Sequence, residues 1–274
     1  RWSDHLYQGP RRMVLWVAAG VVLPTWAATA QAQMALSAAI NVSGSFRALS
    51  QRMAKAYCQQ HLQVLPLAAL DVLAKVRKQA QAGAADLAKG STAGAWPADL
   101  SRQLEEVQKQ YTVLNTLTAT APSKASAAAV AEQADRMMTA AQTATESLEK
   151  LARAPSAKLV GMAGRQRMLS QRMAKQYFLL AAGVDPKASQ TQMNADAAEF
   201  KQALQALAAA PVSTPAIRTE LELGQAQWLF FEAAMRRHPD TKGMEAVATT
   251  SERLLEVMDR LTSLYDAALR EVLG

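Results

Sequence analysis

Arg47 and Arg167 are the side chains of this sequence whose type and spacing best suit holding a ligand. Each stands three residues after a glycine, Gly44 or Gly164, and each leads into one shared segment. Leu49 to Lys55 (LSQRMAK) returns letter for letter as Leu169 to Lys175. A guanidinium is always charged, planar and weakly hydrated, and its fork of donors grips planar oxyanions through two parallel hydrogen bonds. Gln51 and Gln171 could add neutral donors, with Arg52, Arg172, Ser50 and Ser170 as secondary candidates. No acidic residue lies within one helical turn of Arg47 or Arg167 along the chain. Either each arginine pairs with a carboxylate of another helix or snorkels to water, or it binds an anion.

These residues need a helix to present them. At about 100° per residue, Val42, Phe46, Leu49, Met53 and Tyr57 share one face, and Leu169, Met173 and Tyr177 repeat it. That face is the expected core. A second stripe, roughly 110° away, carries Gly44, Arg47, Gln51 and Ala54, and its twin carries Gly164, Arg167, Gln171 and Ala174. Small residues there allow another helix to approach, so the arginines should project into a helix–helix contact. Arg52 and Arg172 fall on the opposite flank.

Prolines and loops punctuate the chain into eight helices. The pattern predicts helices over 35–65, 66–89, 96–120 and 124–153, then over 157–182, 186–210, 216–237 and 242–274. The second set repeats the first. Pro66 and Pro186 keep the 120-residue offset of the signature, and further on the offset becomes 117. There Leu104, Glu105, Gln108, Gln110 and Tyr111 answer Leu221, Glu222, Gln225, Gln227 and Trp228. In the last helices Asp135 and Arg136 answer Glu252 and Arg253. Such ordered self-similarity marks a duplication. The expected fold is all-α: two tandem antiparallel four-helix bundles, over 33–153 and 157–274.

Composition agrees with that class. Half of the 274 residues are hydrophobic, while glycine (12) and aromatics (5%) are scarce. The formal charge of +7 favours anionic partners, but lysine and arginine are dispersed, so no nucleic-acid partner is expected. The single cysteine, Cys58, excludes an intrachain disulfide, and the three histidines show no ligand spacing. No phosphate loop, metal triad or carboxylate pair stands out, so neither an enzyme nor a cofactor or metal site is predicted. Trp228, Phe230 and Phe231 read as core or helix contacts.

Residues 1–32 have the layout of an address. Arg11 and Arg12 precede the apolar run Val14 to Leu23, and Ala30 and Ala32 form a small-residue cleavage site. Cleavage after Ala32 into an oxidising periplasm is the expectation, with an uncleaved inner-membrane anchor as the alternative. Residues 1–10 read as upstream sequence, since the first methionine is Met13.

The segment Val160 to Lys175 (VGMAGRQRMLSQRMAK) resembles the signature of the PilJ-type domain, the N-terminal region of type IV pilus methyl-accepting chemotaxis transducers. It is also similar to the periplasmic nitrate/nitrite-sensing helix of nitrate sensor kinases. Ile40 to Arg47 (INVSGSFR) resembles it too. In those sensors the arginine three residues after the motif glycine contacts the anion across a dimer two-fold, and the matching residues are Arg47 and Arg167. The resemblance thus implies an intramolecular pseudo-dimer in which Arg47 faces Arg167, with Gly44 and Gly164 letting the helices close. It implies a sensor of nitrate or nitrite. The repeats differ, with Asn41, Ser45, Phe46 and Ala48 in the first against Gly161, Arg165, Gln166 and Met168 in the second. No signalling module is expected after the last helix, and the expected partner is a membrane-bound receptor, kinase or transporter. A ligand-free helical module for pilus or chemoreceptor assembly is the alternative.

Overall fold

Each helix junction is set by residues that cannot continue a helix. The structure, a computed structural model, describes residues 25–92 and 94–273, with side chains over 36–91 and 94–271. Among the described residues the helices are α1 (Thr25–His61), α2 (Pro66–Thr92), α3 (Ala98–Thr118), α4 (Lys124–Ala152), α5 (Pro155–Ala181), α6 (Pro186–Ala209), α7 (Pro215–Met235) and α8 (Thr241–Leu273). Helices α2 to α8 follow the predicted spans to within a few residues. Helix α1 does not: it begins at Thr25 rather than Ala35 and ends at His61 rather than Leu65. The apolar run Val14 to Leu23 lies outside the described residues. Ala28 to Ala32 fall in the first turns of α1, ahead of the described side chains. Among the described residues no helix is long and apolar enough to cross a membrane.

The eight helices form two antiparallel four-helix bundles that meet face to face. Helix α2 packs on α1 and α3 on α4, while α6 packs on α5 and α7 on α8. Helix α1 also packs along α5, and α8 and α4 brace this contact from either repeat. Hydrogen bonds fix the directions. Arg47 meets Gln142 and Tyr57 meets Ser126, so α4 runs against α1. Arg165 meets Gln142 and Lys175 meets Asp135, so α4 runs against α5 as well. Helices α1 and α5 therefore lie parallel, as two copies related by a pseudo two-fold must.

The expected core stripe is buried. Phe46, Met53, Tyr57, Met173 and Tyr177 are almost wholly inside, and Val42 is half-buried against them. The tyrosine hydroxyls close the far ends of the bundles in matching fashion. Tyr57 donates to Thr120 O at 3.0 Å and Tyr177 to Arg237 O at 3.0 Å. In the second bundle Phe200 stacks on Trp228 at 4.7 Å, and Phe231 meets Trp228 edge-on. Phe230 is a correction: it is 63% exposed and points away from the core. Its neighbours Trp228 and Phe231 already occupy the buried side of α7, and Phe230 lies about 100° from Phe231.

One junction shows how the duplicated turn is paid for unequally. In repeat 2 the left-handed positions are Gly183 (φ 72) and Asp185 (φ 38), and the Asp185 carboxylate caps α6 by accepting from Ala188 N. In repeat 1 the same positions hold Gln63 (φ 56) and Leu65 (φ 45), which tolerate that region poorly and provide no cap. Leu65→Asp is expected to raise the free energy of unfolding by about 1 kcal/mol, through relief of strain and a new N-cap. A urea midpoint that stays level or falls would contradict the equivalence of the two turns.

Candidate functional site

The parallel contact of α1 and α5 places the two arginines together. Side chains on a helix lean toward its N-terminus, so each guanidinium reaches back onto the partner helix. Arg47 Nη2 donates to Gly161 O at 3.0 Å, and Arg167 Nη2 donates to Asn41 O at 3.1 Å. Each Nε donates to the carbonyl of its own motif glycine, Gly44 or Gly164, at 3.2 and 3.4 Å. Both arginines are buried.

The glycines make room for these guanidinium groups. A Cβ at Gly44 would lie 2.9 Å from Arg47 Nη2 and 3.7 Å from Arg167 Nη2. One at Gly164 would lie 3.0 Å from Arg167 Nη2 and 3.2 Å from Arg47 Nη2. Each arginine thus crowds the glycine of its own motif, and Arg47 crowds Gly164 as well. The sequence reading gave the glycines the task of letting backbones approach, but the nearest atoms are guanidinium nitrogens.

The electrostatics of the pair are unequal. Arg167 forms an ion pair with Asp259 at 2.8 Å and also donates to Asn41 Oδ1 at 3.1 Å. At the repeat-equivalent position Arg47 meets a neutral amide, Gln142 Oε1, at 2.7 Å. Burial is the main force lowering the Arg47 pKa, to about 9, followed by the charges of Arg167 and Arg165. The charges of Glu149 and Glu146 oppose this. Glu149 is itself pushed up by burial and held back by Arg47. Two cavities open on the pair, and their linings overlap at four repeat-equivalent positions. One of about 500 Å³, between α1, α2 and α8, is lined by Arg167, Arg52, Lys75, Lys78 and Asp259. The other, of about 470 Å³, is lined by Arg47, Arg165, Gln142, Glu149 and Glu199.

The other sequence candidates are placed differently. Gln51 and Gln171 lie one turn beyond the arginines, fully buried, but their amide nitrogens are already engaged. Gln51 Nε2 donates to Asp135 at 3.1 Å and Gln171 Nε2 to Ser251 O at 3.1 Å. Their Oε1 atoms are buried without a partner, so what each offers is an acceptor and not the expected donor. Ser50 and Ser170 donate back to the carbonyls of Arg47 and Arg167 at 2.7 Å. Arg52 and Arg172 are clamped by carboxylates, Arg52 on Glu252 and Arg172 on Asp196, through paired hydrogen bonds.

This signature, its spacing and the helices around it recur as one unit. The family model of the type IV pili methyl-accepting chemotaxis transducer N-terminal region, PilJ, matches residues 28–143 and again 153–257. The chain belongs to the PilJ family. Searches among curated proteins and among solved structures found no match. The chain carries two copies of a sensory or signalling domain of the chemotaxis-transducer type.

Within the PilJ pair, two residues that the sequence reading passed over turn out to bind the copies together. Lys55 is fully buried and reaches across to Glu252 and Ser251 of repeat 2, while Lys175, equally buried, reaches back to Asp135 of repeat 1 at 2.6 Å. Asp135 and Glu252 are repeat equivalents, so the exchange is reciprocal. The available signal was the invariance of the lysine in both copies of the signature. Burial lowers the pKa of both lysines, against the pull of their carboxylates. Burial also works to raise Glu252, but Lys55 and Arg52 outweigh it and hold the carboxyl at about 2.

Glu252→Gln strands the Lys55 charge and is expected to cost about 3–5 kcal/mol. The Glu252 pKa is depressed in the fold, so its stabilisation is complete above its ordinary value of 4.5 and is lost as pH falls toward about 2. Urea unfolding of wild type and Glu252→Gln should therefore converge on acidification through that window. A gap that stays constant from pH 6 to about 2 would contradict this assignment.

Proposed function

We propose that this PilJ pair is a periplasmic sensor for a small oxyanion, nitrate or nitrite, held between Arg47 and Arg167. The observation that carries the reading is the meeting of two buried guanidinium groups over two glycines, with one carboxylate directly paired to the pair. Two like charges in a partly desolvated contact repel, and a monoanion between them relieves that repulsion. Binding would tighten α1 against α5, and any change in their packing would pass along both helices to α4 and α8. A membrane-bound receptor, kinase or transporter would read the result. The arginines preceding an apolar run and small-residue site at the N-terminus support export.

A second reading has its own observation. Both guanidinium groups already have protein partners through their Nε, Nη1 and Nη2 atoms. A helical module for pilus or chemoreceptor assembly, with no small ligand, would need nothing more. The sensor reading is preferred because repulsion within the pair serves no purpose in that module.

Calorimetric titration with nitrate, nitrite, sulfate and chloride at fixed ionic strength separates the two. Arg47→Ala and Arg167→Ala should each remove charged hydrogen bonds worth about 1.5–3 kcal/mol, weakening nitrate binding by roughly ten- to over a hundred-fold. The double variant should lose less than the sum, because both groups act on one ligand. Two independent sites per chain, or unchanged affinity in both single variants, would rule the shared site out.

A further inference from the structure

The two halves of the arginine pair differ at one equivalent position, and that difference has a consequence for binding. Gln142 and Asp259 occupy the same place in α4 and α8, 117 residues apart, and each contacts the Nη1 of the arginine in its own repeat. Gln142 satisfies Arg47 without adding charge. Asp259 instead supplies a carboxylate, planar and anionic like the proposed ligand, at 2.8 Å from Arg167.

We propose that Asp259 is an internal competitor for the anion site, setting its affinity by occupying Arg167 until the ligand displaces it. This rests on the oxyanion reading above. Three observations support it. Asp259 is 61% exposed at its side chain, so it leaves Arg167 for water at little desolvation cost. It lines the cavity of about 500 Å³ onto which Arg167 opens, which gives the carboxylate space to swing and the anion a way in. Arg167, in contrast, is buried and held by Asn41 O and Gly164 O, so the guanidinium stays in place when Asp259 departs. The carboxylate is the movable partner. At the same place Arg47 Nη1 is met by the neutral Gln142 Oε1, so no directly paired carboxylate has to leave it when the ligand arrives.

The test is nitrate titration by calorimetry, at fixed ionic strength, of wild type, Asp259→Asn, Gln142→Asp and Glu256→Gln. Glu256 is an exposed acid of the same cavity, one turn from Asp259, that makes no ion pair with Arg167 and so controls for general charge. Asp259→Asn should tighten binding about three- to ten-fold, the scale expected for release of an exposed ion pair and its repulsion of the ligand. Gln142→Asp should weaken binding to a similar extent by giving Arg47 a competitor, and Glu256→Gln should stay within about two-fold of wild type. Asp259→Asn binding like wild type, or Glu256→Gln tightening as much as Asp259→Asn, would overturn the inference while leaving the oxyanion site standing. Failure of the wild-type chain to bind any of the anions would remove the oxyanion reading and this inference with it.

Discussion

Two buried cations facing each other across a pseudo two-fold are the constraint around which this structure is arranged. Desolvation and the charge of Arg167 both act against Arg47, and the rest of the contact is built to offset them. Gly44 and Gly164 leave the space that the guanidinium groups fill. Carbonyls of Gly161 and Asn41 accept across the interface, so the charges are held by the partner helix as well as by their own. About two turns farther on, Lys55 and Lys175 add two more buried cations, and each is paired with a carboxylate from the opposite repeat. The repeats are thus joined by crossed ion pairs around a charged centre, where an ordinary bundle contact would be apolar.

Duplication turns what would be a symmetric dimer into a single chain whose halves can diverge. The divergence is concentrated near the arginines. Repeat 2 has Arg165 paired with Glu199 where repeat 1 has Ser45 and Gln79. Arg172 finds Asp196 on α6, but the equivalent position on α2 is Val76, so Arg52 crosses to Glu252. A homodimer could not place Gln142 opposite one arginine and Asp259 opposite the other. The two cavities accordingly differ in charge at the equivalent positions that line both, Asp259 against Gln142 and Gln79 against Glu199.

Local rules made much of this legible from the residues. Pro66, Pro186 and Pro215 start helices because a missing N–H costs nothing in the first turn, and the periodicity of Phe46, Met53 and Tyr57 marks the buried face. The repeat and the family resemblance together brought Arg47 to Arg167. What remained hidden depends on side chains meeting across the fold. The partner of Lys55 lies 197 residues away on α8, and nothing in the local pattern says that α8 contacts α1. The amide orientation of Gln51 is decided by Asp135 on α4, which turned an expected donor into an acceptor. The partners of Arg52 and Arg172 were likewise set by acids on other helices. Phe230 looked like core because hydrophobicity alone does not say which residues of the apolar run 228–231 face inward.

The most direct measurement of the central claim is an anomalous-diffraction experiment on crystals of the chain grown in sodium bromide, which supplies a strongly scattering monoanion. The account predicts a peak between α1 and α5 within hydrogen-bonding distance of both Arg47 and Arg167. Bromide found at surface lysines alone, with the guanidinium groups still bonded to Gly161 O and Asn41 O and no peak between them, would contradict it.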